Sequence, residues 1–381
     1  MSKVELLFFS KENTGGTIGF FSKIFPDLQH YFELKIFFFK KVNEGFFIDG
    51  SNFLSKTYTP GMSMSFEKFG QTYHNLIKIT KRISSIKKDS IIVVLDIYTY
   101  ILVCFSVILM VKKNKIIYIV ENNIPEVLHN NRSSVYRTLL QFSYKLLIAR
   151  VSGFVFTSNA LARDFKRGYG IKSARVNVIP LGVDIGKINE LKYGMPELDA
   201  KLFDGVTGIV TVMNFTPQKD IDTIIEAFAQ VQKDYSRIRL FVIGSGYGHA
   251  PFKEKLKELK IEDKVHFLGW KKNVTRYLLK CKIFVFSSKY EGFGLAILEA
   301  MSLGLPVISS DTKYGPADLL GNQKYGLLYP VGNVKKLSEE IRLLLTDSRL
   351  AKEYSTLGIR RSFDYDMPKI VKKYRDFFSS L

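Results

Sequence analysis

Short apolar runs alternate along this chain with longer segments in which apolar residues recur at helical spacing. The runs have the length and the β-branched, aromatic character of buried strands. Alternation of strand and helix predicts an α/β fold, with parallel sheets covered by helices on both faces. In the first half the predicted strands are 4–9, 34–39, 91–95 and 116–120, and the predicted helices are 66–83, 97–111 and 132–150.

The second half of the chain repeats the same alternation. Its predicted strands are 208–213, 239–243, 265–269, 283–286 and 307–309, and its predicted helices include 221–231, 337–345 and 370–378. A chain of 381 residues is too long for one ordinary domain. Its 46% of hydrophobic residues, with 31 Phe and 20 Tyr, are ample for two cores and exclude a disordered protein. We therefore expect two domains of moderate size.

A loop with two glycines joins the predicted strand 283–286 to a helix. Gly292 and Gly294 permit a sharp turn and a close approach to a ligand. The start of the following helix offers free N–H groups, which suit a phosphate. Glu291 precedes the glycines, whereas Glu299 lies more than a turn into the helix, at a rise of ~1.5 Å per residue.

The spacing of the two glutamates disfavours a hydrolytic pair, because the carboxyls of a retaining glycosidase stand roughly 5 Å apart. Glu291 and Glu299 are better placed to hold two separate parts of one long ligand, with a phosphate between them. A sugar nucleotide has this layout. The alternative interpretation is two surface glutamates near a helix start, where acidic residues are common.

This stretch strongly resembles the Glu-x7-Glu signature of the family-four retaining glycosyltransferases. The resemblance is most specific over about residues 206–345 and continues more loosely, in register, elsewhere. Its segments are Glu291-Gly292-Phe293-Gly294, Glu299-Ala300-Met301, Gly304-Leu305-Pro306-Val307-Ile308, Asp311, Gly315-Pro316, Tyr325-Gly326-Leu327-Leu328 and Pro330-Val331-Gly332-Asn333.

The resemblance implies the GT-B fold, in which two Rossmann-like domains face each other across an interdomain cleft. A C-terminal helix crosses back to the first domain in this family. We accordingly expect an acceptor-side domain at 1–185, completed by 366–381, and a nucleotide-sugar-binding domain at 186–365, with the hinge at about 181–205.

The resemblance also implies the reaction. A sugar would pass from a nucleoside-diphosphate sugar, with UDP favoured over GDP, to an acceptor hydroxyl, with retention at the anomeric carbon. The acceptor would be a glycan or a lipid-linked molecule. No covalent nucleophile is evident, so we expect a same-face displacement in which the leaving phosphate takes the proton of the acceptor. No cofactor and no metal are expected, since Lys219 and helix N-termini would supply the positive charge, and we expect no Asp-x-Asp triplet or carboxylate pair beside the phosphate.

Residue roles are carried over position by position. Glu291 and Lys219 are the expected catalytic residues, Glu291 on the sugar hydroxyls and Lys219 on the diphosphate. The expected donor-binding set is Gly16, Asn214, Lys219, Glu291, Gly292, Phe293, Gly294, Leu295, Ala296 and Glu299, with the amides of 292–296 on the sugar and phosphate and Glu299 on the ribose. Asn122 and Asn123 are expected on the acceptor or sugar side.

The chain departs from the family pattern at two of these positions. Relatives often carry a histidine near Asn122, and they usually carry Gly-Arg where Met213-Asn214 stands here. At Asn122 an amide contact would replace the contact of the histidine. At Met213-Asn214 the positive charge of the arginine is lost.

The net charge of +20 raises the question of an anionic partner. No nucleic-acid motif is present, so nucleic acid is not expected. Residues 132–150 mix basic and large apolar side chains, which leaves two interpretations open: a helix that rests on an anionic membrane surface, and a helix that buries one face in its own domain. The longest apolar stretch, 97–111, is shorter than the roughly 20 residues of a spanning helix and predicts a buried helix.

The N-terminal residues lack a signal-peptide pattern. Cys104 and Cys281 lie in apolar segments far apart in sequence, which favours reduced core thiols over a disulfide framework. These observations favour a cytoplasmic protein, and attachment to the inner face of the membrane stays open.

Three other functions stay open from the sequence. A nucleotide-sugar epimerase of the same fold would act without an acceptor. A glycogen-type phosphorylase would need a pyridoxal-phosphate lysine and a longer chain. A non-catalytic basic protein would bind RNA or lipid and leave sugar nucleotides intact.

Overall fold

The computed structural model describes residues 4–12, 16–40, 51–53, 66–120, 142, 145, 147–172, 175–191, 201–245 and 250–381. The chain divides into two compact units. Unit 1 comprises Met1–Leu181 with Ile370–Leu381, and unit 2 comprises Gly182–Lys369. These divisions lie beside the predicted boundaries at 185 and 366.

Unit 1 is built on a parallel sheet of seven described strands in the order β3-β2-β1-β4-β5-β6-β7. The strands are β1 (Glu5–Glu12), β2 (Glu33–Lys40), β3 (Ser51–Phe53), β4 (Ile91–Val94), β5 (Ile116–Val120), β6 (Gly153–Phe156) and β7 (Val176–Val178). The helices are α1 (Gly16–Gln29), α2 (Phe66–Ser84), α3 (Ile97–Leu109) and α4 (Asn159–Tyr169). Every residue of β4 and β5 is buried, as expected for strands covered on both faces.

Unit 2 is built on a parallel sheet of six described strands in the order β10-β9-β8-β11-β12-β13. The strands are β8 (Thr207–Val212), β9 (Ile238–Ile243), β10 (Val265–Gly269), β11 (Cys281–Phe286), β12 (Val307–Ser310) and β13 (Leu327–Tyr329). The helices are α5 (Ile185–Glu190), α6 (Ile221–Val231), α7 (Ala250–Glu258), α8 (Thr275–Leu278), α9 (Leu295–Ser302), α10 (Pro316–Leu319), α11 (Val334–Thr346) and α12 (Ser348–Ser362). The predicted α/β class with two Rossmann-like sheets is confirmed.

The central position of β8 and β11 in the second sheet determines where a ligand binds. In an open parallel sheet, ligands bind beyond the carboxyl ends of the strands, at the point where the strand order reverses. Beyond β8 comes the turn that carries Lys219, and beyond β11 comes the glycine loop. The order of the strands therefore brings two stretches about 70 residues apart in sequence to one edge.

The last helix, α13 (Met367–Ser379), contributes its aromatic face to the core of unit 1. The ring of Tyr374 lies 5.4 Å from that of Phe21, and the ring of Phe378 lies 6.2 Å from that of Phe8, edge-on. All four side chains are buried. The prediction that the terminal helix returns to the first domain is confirmed.

Helix α3 differs from the buried helix that its composition predicts. Asp96 caps its start by accepting from the N–H of Thr99 at 2.9 Å. Val103, Cys104 and Val107 on its inner side are fully buried, but Leu109 near its end is 63% exposed. A segment that is apolar all round thus covers the sheet with one face only.

Most of the predicted helix 132–150 lies outside the described residues. Residues 142, 145 and 147 are helical, and Ile148–Arg150 form a 3₁₀ turn. Over the ranges that the structure describes, none of the helices combines the length and the apolar character that crossing a membrane requires.

Removal of one buried aromatic ring from the last helix tests the role of this helix in unit 1. Phe378→Ala should lower the free energy of unfolding of unit 1 by about 3–5 kcal/mol, the usual cost of emptying a buried phenylalanine site. Phe363→Ala is the control, because Phe363 is 48% exposed, and it should change stability by less than about 0.5 kcal/mol. Urea denaturation with hydrogen exchange resolved by segment measures both. Equal effects of the two variants would contradict the assignment of α13 to this core.

Candidate active site

The carboxyl ends of β11 and β12 are joined by side-chain hydrogen bonds from serine residues. The N–H of Ser288 donates to Oγ of Ser310 at 2.9 Å, and that hydroxyl donates in turn to the carbonyl of Ser288 at 3.0 Å. Oγ of Ser287 donates to the carbonyl of Asp220 at 2.9 Å. All three serines are buried, so the chain leaves β11 in a fixed direction.

A second set of hydrogen bonds fastens the turn Pro217–Lys219 to the segment after β11. Nε2 of Gln218 donates to the carbonyl of Tyr290 at 2.7 Å, and the N–H of Lys289 donates to the carbonyl of Gln218 at 2.7 Å. The turn and the segment therefore hold each other through both side-chain and main-chain groups. This arrangement sets the position of Lys219, the last residue of the turn.

Lys219 and Glu291 form an ion pair through Nζ and Oε1. Oγ of Ser288 donates to the same carboxylate oxygen at 3.0 Å. The two charged side chains are only 20% and 10% exposed, so the pair is largely screened from water. Nζ of Lys219 also lies 5.1 Å from the centre of the Phe286 ring, a distance typical of a cation–π contact.

The structure thus brings together the two residues that the sequence predicts to be catalytic. Each had been assigned to a different part of the ligand, and their direct pairing was not predicted. A buried ion pair is strongly destabilised when one partner is removed. Conservative substitutions are therefore needed to test either residue.

The glycine loop leads into α9 through two tight backbone positions. Gly294 precedes the helix with φ of 96°, in the left-handed region that favours glycine. Gly315, with φ of 77°, lies so close to Phe293 that a Cβ there would stand 2.5 Å from the carbonyl oxygen of Phe293. The backbones of Gly315 and Phe293 therefore pack directly against each other, with no room for a side chain between them.

The first N–H groups of α9 belong to Leu295 and Ala296, and a helix supplies no carbonyl to such groups. They carry the positive end of the helix dipole, as the predicted phosphate site requires.

The side chain of Phe293 is 6% exposed and its ring lies 5.7 Å from that of Tyr365. Burial is the main cause that raises the pKa of Tyr365. Phe293 can thus offer a ligand its backbone but not its ring.

Glu299 is half-buried in the second turn of α9. Its carbonyl accepts from Oγ of Ser302 at 2.8 Å, a bond within the helix. Gly292 is buried in the loop before the helix. Asn214, at the position where the resemblance leads us to expect a cation, is exposed after β8.

The remaining predicted site residues belong to unit 1. Gly16 is the first residue of α1. Asn122 and Asn123 lie outside the described residues, so their predicted roles on the acceptor side stay predictions.

The expectation that no Asp-x-Asp triplet stands near the phosphate site is wrong. Asp220-Ile221-Asp222 follows Lys219 directly, although its two carboxylates have separate partners. Oδ2 of Asp220 accepts from Oγ1 of Thr223 at 2.7 Å, and Asp222 pairs with Lys255 at 2.7 Å.

The two carboxylates of a second triplet, Asp364-Tyr365-Asp366, also have separate partners. Asp364 pairs with Arg361 at 3.0 Å, while Oδ1 of Asp366 accepts from the N–H of Met367 at 3.0 Å. Across the described part of the chain, no group of three or more His, Cys, Asp or Glu side chains is arranged to hold a metal ion.

Two residues of this site, Gln218 and Ser288, were missed by the sequence reasoning. Neither belongs to a charged pair or a glycine turn, and both act by hydrogen bonds to groups that the fold brings near. The only local signal was the polar pair Ser287-Ser288 at the end of an apolar strand.

Two family models match the chain. Residues 61–187 match Glycosyltransferase Family 4, and residues 200–361 match Glycosyl transferases group 1. The second match contains Lys219, the glycine loop and both glutamates.

Curated relatives are similar over a large part of the chain. An uncharacterized glycosyltransferase of Methanocaldococcus jannaschii is 26% identical over 307 residues, which cover 71% of this chain and 75% of that protein. The N-acetylgalactosamine-N,N'-diacetylbacillosaminyl-diphospho-undecaprenol 4-alpha-N-acetylgalactosaminyltransferase of Campylobacter jejuni is 26% identical over 250 residues. That match covers 65% of each chain, so it spans just under two thirds of the Campylobacter protein.

Solved structures share the fold of the chain. HepE of Anabaena in complex with UDP and glucose superposes with a TM-score of 0.80 at 17% identity, over 99% of this chain and 100% of that one. WaaG, a glycosyltransferase involved in lipopolysaccharide biosynthesis, superposes with a TM-score of 0.75 at 16% identity, over 98% and 99%. The fold is GT-B, and with the two family matches together covering most of its length, the chain belongs to the family 4 glycosyltransferases.

Proposed function

We propose that this protein transfers a sugar from a UDP-sugar to a hydroxyl of a glycan or lipid-linked acceptor, with retention at the anomeric carbon and without a metal. The observation that carries the proposal is the screened Lys219–Glu291 pair beside the start of α9. It places a cation, a carboxylate and helix N–H groups at one edge of the sheet, which are the groups that a sugar diphosphate requires.

Each group has a defined task in the proposed reaction. Lys219 and the N–H groups of Leu295 and Ala296 neutralise the diphosphate, whose negative charge grows as it leaves. Glu291 shares Oε1 with Lys219 and Ser288, and its Oε2 accepts a hydroxyl of the transferred sugar. Glu299 accepts the ribose hydroxyls.

The bond changes follow from a same-face displacement. The acceptor oxygen forms a bond to the anomeric carbon on the face from which the diphosphate departs. The bond between that carbon and the phosphate oxygen breaks, and the acceptor proton passes to the departing phosphate. UDP and the extended acceptor are the products, and the role of the protein is positioning and charge stabilisation.

Comparisons support the classes of donor and acceptor. Solved structures with the same fold hold UDP, UDP with glucose, or UDP-glucose. Two relatives from Campylobacter jejuni are named for acceptors that carry diphospho-undecaprenol. We therefore place the reaction on the cytoplasmic side of a membrane, with the protein attached peripherally.

Nucleotide release is the decisive measurement. The protein is incubated with a panel of UDP- and GDP-sugars, with and without a lipid-diphosphate-linked sugar, and the free nucleotide is measured. Acceptor-dependent release of UDP is the expected result. Conversion of the UDP-sugar to its epimer without release would instead support an epimerase.

Glu291→Gln should lower turnover by about 10²–10³-fold, because the lost charge faces the reacting sugar. UDP affinity should change less than about threefold, since the nucleotide does not touch this group. Glu226→Gln is a matched control, as Glu226 pairs with Lys255 at 2.6 Å elsewhere in unit 2. Equal losses in turnover and UDP affinity would contradict the role of Glu291.

Glu299→Ala should weaken UDP binding by about 1–3 kcal/mol, the usual cost of leaving a hydrogen-bond partner unsatisfied. Isothermal titration calorimetry measures this directly. Glu353→Ala, at an exposed position of α12, serves as the control. Unchanged UDP affinity in Glu299→Ala would refute the ribose contact.

Activity should survive a chelator, because Lys219 and the start of α9 supply the positive charge at the diphosphate. Turnover is measured before and after dialysis against EDTA. A complete loss that Mg²⁺ or Mn²⁺ restores would point to the Asp220–Asp222 triplet, since Mg²⁺ on a diphosphate needs one or two carboxylates.

A further inference from the structure

The glycine loop is held on two sides by residues that lie outside it. The backbone of Phe293 packs directly on Gly315, which immediately precedes α10. The ring of Phe293 meets that of Tyr365 nearly edge-on, with the ring centres 5.7 Å apart. Tyr365 ends the 3₁₀ turn Phe363–Tyr365 that follows α12. The direction in which the loop enters α9 therefore depends on these two supports, α10 and Tyr365.

One guanidinium group binds both supports of the loop. Nη2 of Arg361, in the last turn of α12, donates to the carbonyl of Asp318 at 3.0 Å and to the hydroxyl of Tyr365 at 2.7 Å. Its Nε donates to the carbonyl of Leu319 at 3.4 Å. Asp318 and Leu319 are the last two residues of α10, so Arg361 ties that helix to Tyr365. The donors of a guanidinium form a rigid planar fork, whereas the ammonium of a lysine is a single point charge.

The guanidinium itself has a defined place. Its central carbon lies 4.9 Å from the ring centre of Tyr365 and 5.2 Å from that of Tyr325, distances typical of cation–π contacts. Nη1 pairs with Asp364 at 3.0 Å. Only 23% of the Arg361 side chain is exposed, so the group is mostly withdrawn from water. A side chain held by this many groups has few conformations open to it, and it passes its own position on to the loop.

A second arginine of unit 2 makes bonds of the same kind elsewhere. Arg342 on α11 donates to the carbonyl of Gln230 and to the carboxylate of Asp234, each at 2.9 Å, and so joins α11 to the end of α6. Its side chain is 35% exposed. Because α6 leads from the carboxyl end of β8 to the amino end of β9, this contact lies at the edge of the sheet opposite the glycine loop. Arg342 therefore serves as the comparison for an arginine that only joins two segments.

We propose that Arg361 is a positioning residue for the sugar transfer. By tying α10 to Tyr365, and through them holding Phe293, it keeps the first N–H groups of α9 directed at the diphosphate. The charge on the diphosphate grows as its bond to the sugar breaks, so a displaced loop costs more in the transition state than in the bound donor. This inference rests on the proposed function and identifies the contact that keeps the donor loop in place.

Arg361→Lys should lower the turnover of the UDP-sugar by about 10–100-fold, because a lysine keeps the charge at the end of α12 but cannot bind both supports. The KM for the UDP-sugar should change less than about threefold, since the contacts to the nucleoside do not pass through Arg361. Arg342→Lys is the control, and it should lower the unfolding temperature by a similar amount while turnover stays within about twofold. Equal losses of turnover in the two variants, or no loss in Arg361→Lys, would overturn the proposal.

A double-mutant cycle tests whether Arg361 acts through Tyr365. Tyr365→Phe removes the hydroxyl but keeps the ring against Phe293, and it should lower turnover by about fivefold, the equivalent of one hydrogen bond. Adding it to Arg361→Lys should cause no further loss, because both substitutions break the same connection. A double variant whose loss equals the product of the two single losses would overturn that connection. Tyr365→Phe also carries the test by itself if Arg361→Lys does not fold.

Hydrogen exchange separates this inference from the proposed function, because it needs no turnover. The N–H groups of Ile297 and Leu298 both donate to the carbonyl of Gly294, so their exchange reports on the first turn of α9. They should exchange faster in Arg361→Lys than in the unaltered chain, and at the unaltered rate in Arg342→Lys. Unchanged exchange in Arg361→Lys would overturn this inference alone. Faster exchange in that variant, with no turnover of any sugar nucleotide by the unaltered chain, would overturn the proposed function alone.

Discussion

The arrangement of the active site depends on a charge pair held at the edge of a parallel sheet. Lys219 and Glu291 come from segments that are distant in sequence, and hydrogen bonds between the two segments hold both residues in place. Nε2 of Gln218 donates to the carbonyl of Tyr290, and the N–H of Lys289 donates to the carbonyl of Gln218, so each segment holds the other. Because the pair is largely screened from water, losing either partner leaves a charge poorly solvated. The site is therefore a single structural unit, and it forms because β8 and β11 are neighbours in the sheet.

The strands and the glycine loop could be predicted from the sequence because their signals are local. A continuous apolar run indicates a strand covered on both faces, and two glycines before a helix indicate a tight entry. The pairing of Lys219 with Glu291 could not be predicted in this way, since it depends on which strands become neighbours. Gln218 and Ser288 were invisible for the same reason: a neutral side chain that bonds to a carbonyl leaves no pattern in composition or spacing.

Helix α3 shows a different limit of sequence reasoning. Its residues are apolar on every side, and such a helix is ordinarily buried. Periodicity therefore carried no information about which face meets the sheet. Only the packing of Val103 and Val107 against the strands distinguishes the covered side from the side of Ile108 and Leu109. The triplet after Lys219 is visible in the sequence, but only the structure shows that each of its carboxylates is bound to its own partner.

The place of the last helix in the first core has a consequence for synthesis on the ribosome. Residues 1–181 leave the ribosome before unit 2, yet Phe8 and Phe21 pack against side chains from residues 370–381. Unit 1 therefore cannot complete its core until residues 370–381 have left the ribosome, which is after all the residues of unit 2. The aromatic surface of unit 1 stays uncovered until residues 370–381 are available, and nascent chains with such surfaces are prone to aggregate. Folding of this chain thus runs against the order of its translation, and a nascent chain halted after unit 2 would expose this surface to chaperones.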